Sequence, residues 1–384
     1  MTTVFTGARK LDVDGQVDDF WMLIDGGTIT QTGVGVPPEA DERIDAAGRW
    51  LVPGFIDLHC HGGGGHAFDD GDDEIMAALA THRAHGTTRS VISLVANPIA
   101  RLRESLEVIA DLAEDDPLVL GSHLEGPYLA RERRGAHNQE YLKMPDQYEL
   151  EGLLAASRGT LRQLTIAPEL PGAMDAIDQL VQNDVAVGVG HTEASIEVAR
   201  DAFDRGASIL THAFNAMPGI HHRAPGPITA AFEDHRVTVE LILDGLHVHP
   251  HVAAIAFRAA PGRMALVTDA MAAAGSDDGD YRLGSLNVSV RDGLAVLRGT
   301  NTIAGSTLTQ DHALRCAIAQ AGIAPADAIT ALTSTPARAL GLGDQFGRLA
   351  PGFAADAVLL DAEWRVEEVW ANGKPMVAPP VAVE

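Results

Sequence analysis

Six residues stand where apolar runs of this chain stop: His59 and His61, Glu125, His191, His212 and Asp269. Imidazoles and carboxylates without a thiolate are the donor set of a catalytic divalent ion, which keeps open positions for water and substrate. Residues two apart in a strand share a face, so His59 and His61 can reach one ion while Cys60 points away. A glutamate can bridge two ions. His59, His61 and Glu125 then form one candidate site, and Glu125, His191 and His212 a second. Such an ion lowers the pKa of bound water from 15.7 to roughly 7. A neighbouring carboxylate, Asp269, can take the water's proton and deliver it to a leaving group.

Taken singly, His191 and His212 also read as hydrogen-bonded core residues, and Asp269 as a helix cap. Glu125 resists such a reading, because a carboxylate at the end of an apolar strand is costly to bury unless it is paired or bound to metal. Taken together, the polar strand ends recur too often for chance. They are His59-Cys60-His61, His123-Leu124-Glu125, Gly190-His191-Thr192, Thr211-His212-Ala213 and Thr268-Asp269-Ala270.

The elements that must position these residues are apolar runs alternating with helical segments. After the opening run Gly54 to Gly62, strands are predicted at Thr87 to Val95, Leu118 to Leu124, Leu161 to Ile166, Val185 to Val189, Ser208 to Leu210, Val237 to Leu243 and Met264 to Thr268. Helices are predicted between them at Asp72 to His85, Ile99 to Leu112, Tyr148 to Ser157, Ala173 to Gln182, Ser195 to Arg205, Ile228 to Phe232 and Val252 to Ala259. Continuous apolar strands linked by helices imply a covered parallel sheet. Eight of them predict an α/β fold, a (β/α)8 TIM-like barrel over residues 53–344, with its functional residues at the strand ends. Beyond Asp269 come a hairpin-like stretch and helical runs at Leu308 to Gln320 and Pro325 to Leu340. The β-rich ends, 1–52 and 345–384, are expected to meet in one small β-sandwich domain, with turns at Asp25-Gly26-Gly27 and Asn372-Gly373.

The chain has 384 residues, 46% of them hydrophobic, and a mean hydropathy of +0.03, enough for a sizeable core. No apolar run approaches the roughly 18 residues of a membrane span, and Met1 to Lys10 lacks the apolar segment of a signal peptide. Two cysteines, Cys60 and Cys316, fit a reducing compartment rather than a disulfide framework. The reading is a cytoplasmic protein. A formal charge of −25 repels nucleic acid and anionic membranes, so neither is expected as a partner. An anionic small molecule stays open, because local arginines and metal ions override the mean field within a Debye length of about 8 Å.

His59-x-His61, His123-Leu-Glu125-Gly-Pro127, Gly190-His191-Thr192, Asn215-Ala-Met-Pro218, Asp244-Gly-Leu-His247, Val267-Thr-Asp269-Ala270 and Pro351-Gly-Phe-Ala-Ala-Asp356 together cover nearly the whole chain. This set resembles the amidohydrolase superfamily, and within it the N-acetylglucosamine-6-phosphate deacetylases. The resemblance implies that Glu125, His191 and His212 hold one metal and that His59 and His61 supply a second, with Asp269 as catalytic acid and base at the metal. It also implies that His137 contacts the substrate carbonyl. Asn215, Ala216 and His247 would meet the sugar phosphate, and the stretch Ile303, Ala304, Gly305 and Ser306 would edge the acetyl pocket. Arg223 would reach the phosphate in a neighbouring subunit of a homodimer. The expected cofactor is one or two divalent ions, Zn²⁺ first, with Fe²⁺, Mn²⁺ and Co²⁺ as alternatives. The expected reaction is deacetylation of N-acetyl-D-glucosamine 6-phosphate to D-glucosamine 6-phosphate and acetate in amino-sugar recycling. Rival readings are an amidohydrolase that opens a cyclic amide or deaminates a nucleobase, and a silent barrel kept as a binding module. The loop with Arg131, Arg133 and Arg134 reads as a lid or as a solvated loop.

Overall fold

The computed structural model of the chain describes residues 1–376. The end of the expected terminal segment, 377–384, lies outside the described residues. Valine, isoleucine and leucine dominate eight strands that run in chain order, each parallel to the next: β1 (Phe55–Cys60), β2 (Thr87–Leu94), β3 (Val119–Glu125), β4 (Leu161–Ile166), β5 (Ala186–Val189), β6 (Ile209–Leu210), β7 (Thr238–Ile242) and β8 (Met264–Val267). All eight residues of β2 and all seven of β3 are buried, as parallel strands covered by helices must be. The sheet is a (β/α)8 barrel, and its last strand meets its first through the backbone. Asp269 N–H donates to the His59 carbonyl at 2.8 Å, and His61 N–H donates to the Ala270 carbonyl at 2.8 Å.

Seven helices lie between successive strands, and Ala173–Gln182 and β4 begin and end where the sequence places them. The helix Ile99–Asp115 buries Leu102, Leu106 and Ile109, a stripe at helical spacing. Asp146 and Ser195 cap the helices that follow them by accepting from the backbone N–H three residues on. β6 keeps only two residues of its expected three. The expected single run Pro325 to Leu340 is two helices, Pro325–Leu332 and Ser334–Ala339, broken at Thr333. Pro336 causes the break: it has no N–H for the Leu332 carbonyl, and its ring collides with that carbonyl in a continuous helix.

The hairpin-like stretch after β8 is three antiparallel strands, Asp280–Leu283, Leu286–Arg291 and Leu294–Leu297. Its inner face packs Leu283, Val288 and Val290 on Met271 and Ala304. Strands from both ends of the chain share one further eight-stranded sheet, in which Trp50 to Pro53 pairs antiparallel with Ala357 to Leu360. That sheet wraps a core of its own, where Phe5 meets the edge of Trp370 at 5.0 Å between ring centres. Gly26-Gly27 and Asn372-Gly373 form two of its two-residue turns, the latter with φ of 48° and 70°.

Arg89 of β2 joins the two sheets. Its guanidinium forks onto Asp356, with Nε to Oδ2 at 2.7 Å and Nη2 to Oδ1 at 3.1 Å, donates to Asn372 Oδ1 at 2.6 Å, and lies over the Phe346 ring. Arg89 is 3% exposed, so the pair is held out of water. Removing one partner of a buried pair strands the other's charge, at a cost of about 3–5 kcal/mol. Asp356→Ala is therefore expected to lower the unfolding free energy by about that amount, read as a shift of the urea midpoint.

Candidate metal centre

Each expected ligand sits at or just beyond the C-terminal end of a barrel strand, and these ends converge. Glu125 closes β3 and meets five imidazoles. Its Oε1 lies 2.9 Å from His191 Nε2, 3.0 Å from His212 Nε2 and 3.5 Å from His59 Nε2. Its Oε2 lies 3.3 Å from His61 Nε2 and 3.2 Å from His137 Nε2. Asp269 Oδ1 lies 3.3 Å from His61 Nε2 and 3.6 Å from His59 Nε2. Donor atoms thus gather in two groups, Glu125 with His191 and His212, and His59 with His61 and Asp269. Glu125, which the sequence assigns to both ions, stands between the two groups, and Asp269 completes the His59–His61 group.

The backbone is bent to achieve this. His191 has φ of 47°, His212 28°, Phe214 79°, Ala216 50° and Asp269 47°, all in the left-handed region and all just after β5, β6 and β8. Each such residue costs of order 1–3 kcal/mol and persists only where its surroundings hold it. Gly62 meets a different demand at the exit of β1, where a Cβ would lie 2.3 Å from the His66 carbonyl oxygen.

The donor chemistry fits a divalent cation. His191 Nδ1 donates to the Arg133 carbonyl at 2.7 Å, which leaves the Nε2 lone pair facing Glu125 and His212. His191 and His212 Nε2 are 3.1 Å apart, as are His59 and His61 Nε2, and only a cation or a proton between such nitrogens makes the approach favourable. Burial alone would lower the basicity of His59 and His61, but Glu125 and Asp269 outweigh it; His59 is raised well above its ordinary value and His61 to about 9. The two carboxylates thus favour positive charge on these rings, a place that a bound cation would take. Burial pushes the Glu125 pKa up, and His137, His59 and His191 more than reverse it, so the group stays ionised. Asp269 follows the same pattern: burial is overcome by His59 and His61, and its pKa falls to about 2.

Other expected site residues divide by placement. His137, Asn215, Ala216, His247, Ile303 and Gly305 line one cavity of about 410 Å³ with His61, Glu125, His191, His212 and Asp269. His137 Nδ1 accepts from Ala96 N–H at 3.2 Å, which puts the remaining proton on Nε2. Burial lowers its pKa and keeps the ring neutral. His247 Nδ1 lies 2.7 Å from Asp244 Oδ2; burial opposes its charge, and Asp244 prevails to raise its pKa. Ala304 and Ser306 are buried away from the cavity wall. The Ser306 hydroxyl donates to the Thr268 carbonyl at 2.6 Å and supports the backbone beside Asp269. Arg223 lies exposed on a loop and does not line this cavity.

Further residues lie in or under the site. Glu132, Arg133, Arg134, Leu283 and Thr302 also line the cavity. His123 lies beneath it, bonded to Ser93 Oγ and Thr165 Oγ1 at 2.9 Å each, and burial keeps it neutral. Glu240, fully buried on β7, sits in a run that reads as apolar. Asp57, Cys60 and His82 form a third gathering, but His82 Nε2 already bonds the Gly62 carbonyl at 2.8 Å, and Asp57 accepts the Thr268 hydroxyl at 2.6 Å. The Cys60 thiol is pushed up to about 12 by burial and by Asp57, so this gathering is packing.

Carboxylates and imidazoles presented at the open end of a (β/α)8 barrel define a hydrolase of the metal-dependent class. The chain belongs to the amidohydrolase family, hydrolases of amide bonds, whose family model matches residues 50–379. It is 38% identical over 378 residues to N-acetylgalactosamine-6-phosphate deacetylase of Escherichia coli O157:H7, covering 97% of this chain and 99% of that one. It is 36% identical over 356 residues to human N-acetylglucosamine-6-phosphate deacetylase, covering 87% and 85%. An alanine variant of the Mycobacterium smegmatis N-acetyl-D-glucosamine-6-phosphate deacetylase, solved in complex with N-acetyl-D-glucosamine 6-phosphate, superposes with a TM-score of 0.93 at 42% identity over 98% of this chain and 99% of that one.

The two groups predict an order of loss. His59→Ala/His61→Ala protein is expected to retain one equivalent of metal where the parent holds two, by elemental analysis after dialysis. Two full equivalents in the double variant would contradict the grouping.

Proposed function

We propose that this chain removes the acetyl group of N-acetyl-D-glucosamine 6-phosphate, giving D-glucosamine 6-phosphate and acetate. The observation that carries the reading is the two ligand groups around one cavity, in a chain 42% identical over 98% of its length to an enzyme solved with that sugar phosphate. Glu125, His191 and His212 would hold a divalent ion, with or without a second at His59, His61 and Asp269, and the chemistry it would supply there is a more acidic water and a Lewis acid for the acetamide carbonyl. Zn²⁺ suits this nitrogen and oxygen donor set; Fe²⁺, Mn²⁺ and Co²⁺ are alternatives.

The protein's own groups do the rest. Asp269, ionised and partly open to the cavity, takes the proton of the attacking water and returns it to the departing amine. His137 is held in the tautomer that donates from Nε2, and the oxyanion that develops on the carbonyl is its acceptor. His247, whose charged form Asp244 favours, and Asn215 meet the sugar phosphate, with the backbone of Ala216, Ile303 and Gly305 around it. Ala304 and Ser306 act through the backbone they brace.

The reading includes a homodimer in which Arg223 reaches the neighbouring active site. Its support is the exposure of Arg223 with the apolar Ile220 beside it, 53% exposed, a combination that fits a subunit contact ending on a phosphate. It also includes a division into 1–52 with 345–384 and 53–344, supported by the sheet that both ends share. A cytoplasmic location is supported by the free, buried thiols of Cys60 and Cys316. Among the described residues no helix is long and apolar enough to cross a membrane.

A second reading rests on the 38% identity to the galacto-enzyme, since the two sugars differ only at C4. Acetate release from both 6-phosphates and from unphosphorylated N-acetylglucosamine separates the cases. The gluco 6-phosphate is expected to be turned over fastest, and the sugar without phosphate poorly. Asp269→Asn is expected to keep metal and fold and to lose about 10²–10⁴-fold in turnover; near-normal turnover would remove Asp269 from the mechanism. Arg223→Ala is expected to raise KM for the phosphorylated sugar far more than it lowers kcat, in steady-state assays.

A further inference from the structure

Glu240 occupies the middle of β7 and is 0% exposed, in a strand whose neighbours Val239, Leu241 and Ile242 are apolar and buried. A carboxylate there is costly unless its oxygens are bonded, and Leu or Val would fill the strand without that cost. Its bonds reach both ligand groups. Oε2 lies 3.4 Å from His59 Nδ1 and accepts from the backbone N–H of His212 at 3.3 Å. Oε1 accepts from Gln163 Nε2 at 2.8 Å, and the Glu240 carbonyl accepts from Ala213 N–H at 2.8 Å. Among the described residues no lysine or arginine pairs with this carboxylate, and His59 is its one basic neighbour.

The geometry has a definite effect on His59. A carboxylate at Nδ1 holds the proton on that nitrogen, fixes the ring plane, and leaves Nε2 to face His61, Glu125 and Asp269. Outer partners of this kind make an imidazole a stronger donor, and their loss typically weakens metal binding about 10–100-fold. At His212 the bond is to the backbone, which is already held on either side by Thr211 N–H to the Val189 carbonyl at 3.0 Å and by Ala213 N–H to the Glu240 carbonyl.

We infer that Glu240 is a positioning residue that sets the divalent-ion affinity of the His59–His61–Asp269 group while leaving the Glu125–His191–His212 group nearly unchanged. This rests on the divalent-ion reading of the site. The test starts from Zn²⁺-loaded protein dialysed against a series of buffered free Zn²⁺ concentrations, with bound Zn²⁺ counted by mass spectrometry. Glu240→Gln keeps the volume and removes the charge. The equivalent that depends on His59 and His61 is expected to need about 10–100-fold more free Zn²⁺, and the other to move less than about threefold. In the His59→Ala/His61→Ala background, Glu240→Gln is expected to leave the remaining equivalent within about threefold. Unchanged midpoints, or an equal shift of both, would overturn the inference. Glu240→Asp keeps the charge but draws it back from His59; it is expected to give the same selective loss, and serves if Glu240→Gln does not fold. A parent protein that binds no Zn²⁺ would instead defeat the divalent-ion reading itself.

Discussion

A single ionised carboxylate, Glu125, is held out of water with five imidazoles around it, and much of the fold exists to make that tolerable. An isolated buried carboxylate would take up a proton rather than remain charged. Here the surrounding rings outweigh burial and keep it ionised. The rings themselves arrive from three different strand ends and a loop, so no local segment can assemble the balance. Only closure of the barrel brings them within 3.5 Å of the same two oxygens.

The strain around that carboxylate is concentrated rather than spread. Left-handed backbone at His191, His212 and Asp269 turns each side chain inward as soon as its strand ends. The regular strands below pack tightly enough to hold those turns, and the Arg89–Asp356 joint ties the barrel to the terminal sheet on the side away from the chemistry. A rigid lower body and a strained upper rim divide the work of folding from the work of the site.

The barrel was legible because its signals are local: apolar runs of strand length, helical stripes such as Leu102, Leu106 and Ile109, and polar residues where runs end. His59, His61, Glu125, His191, His212 and Asp269 were legible for the same reason, since a charged or basic residue after an apolar run stands out. Glu240 was not, because it lies inside a run and its neighbours mask it. Left-handed φ at His191 and His212 was invisible, as side-chain type only weakly constrains it. The helix break at Thr333 was readable from Pro336 but was overridden by the apolar period on either side. Cavity walls such as Leu283 and Thr302 come from the three-stranded insertion, whose docking over the barrel mouth is a tertiary fact with no local pattern.

The hydrogen bonds that seal β8 to β1 have an evolutionary corollary. They run between main-chain groups of His59, His61, Asp269 and Ala270, so the candidate ligands are stitched into the barrel by atoms every amino acid shares. Side chains at 59 and 61 can be exchanged without unfastening the seam. At 269 the positive φ narrows the choice toward Asp, Asn and Gly. A lineage built on this plan can retune its reaction at two positions while a third stays nearly fixed, and inherit a closed barrel throughout.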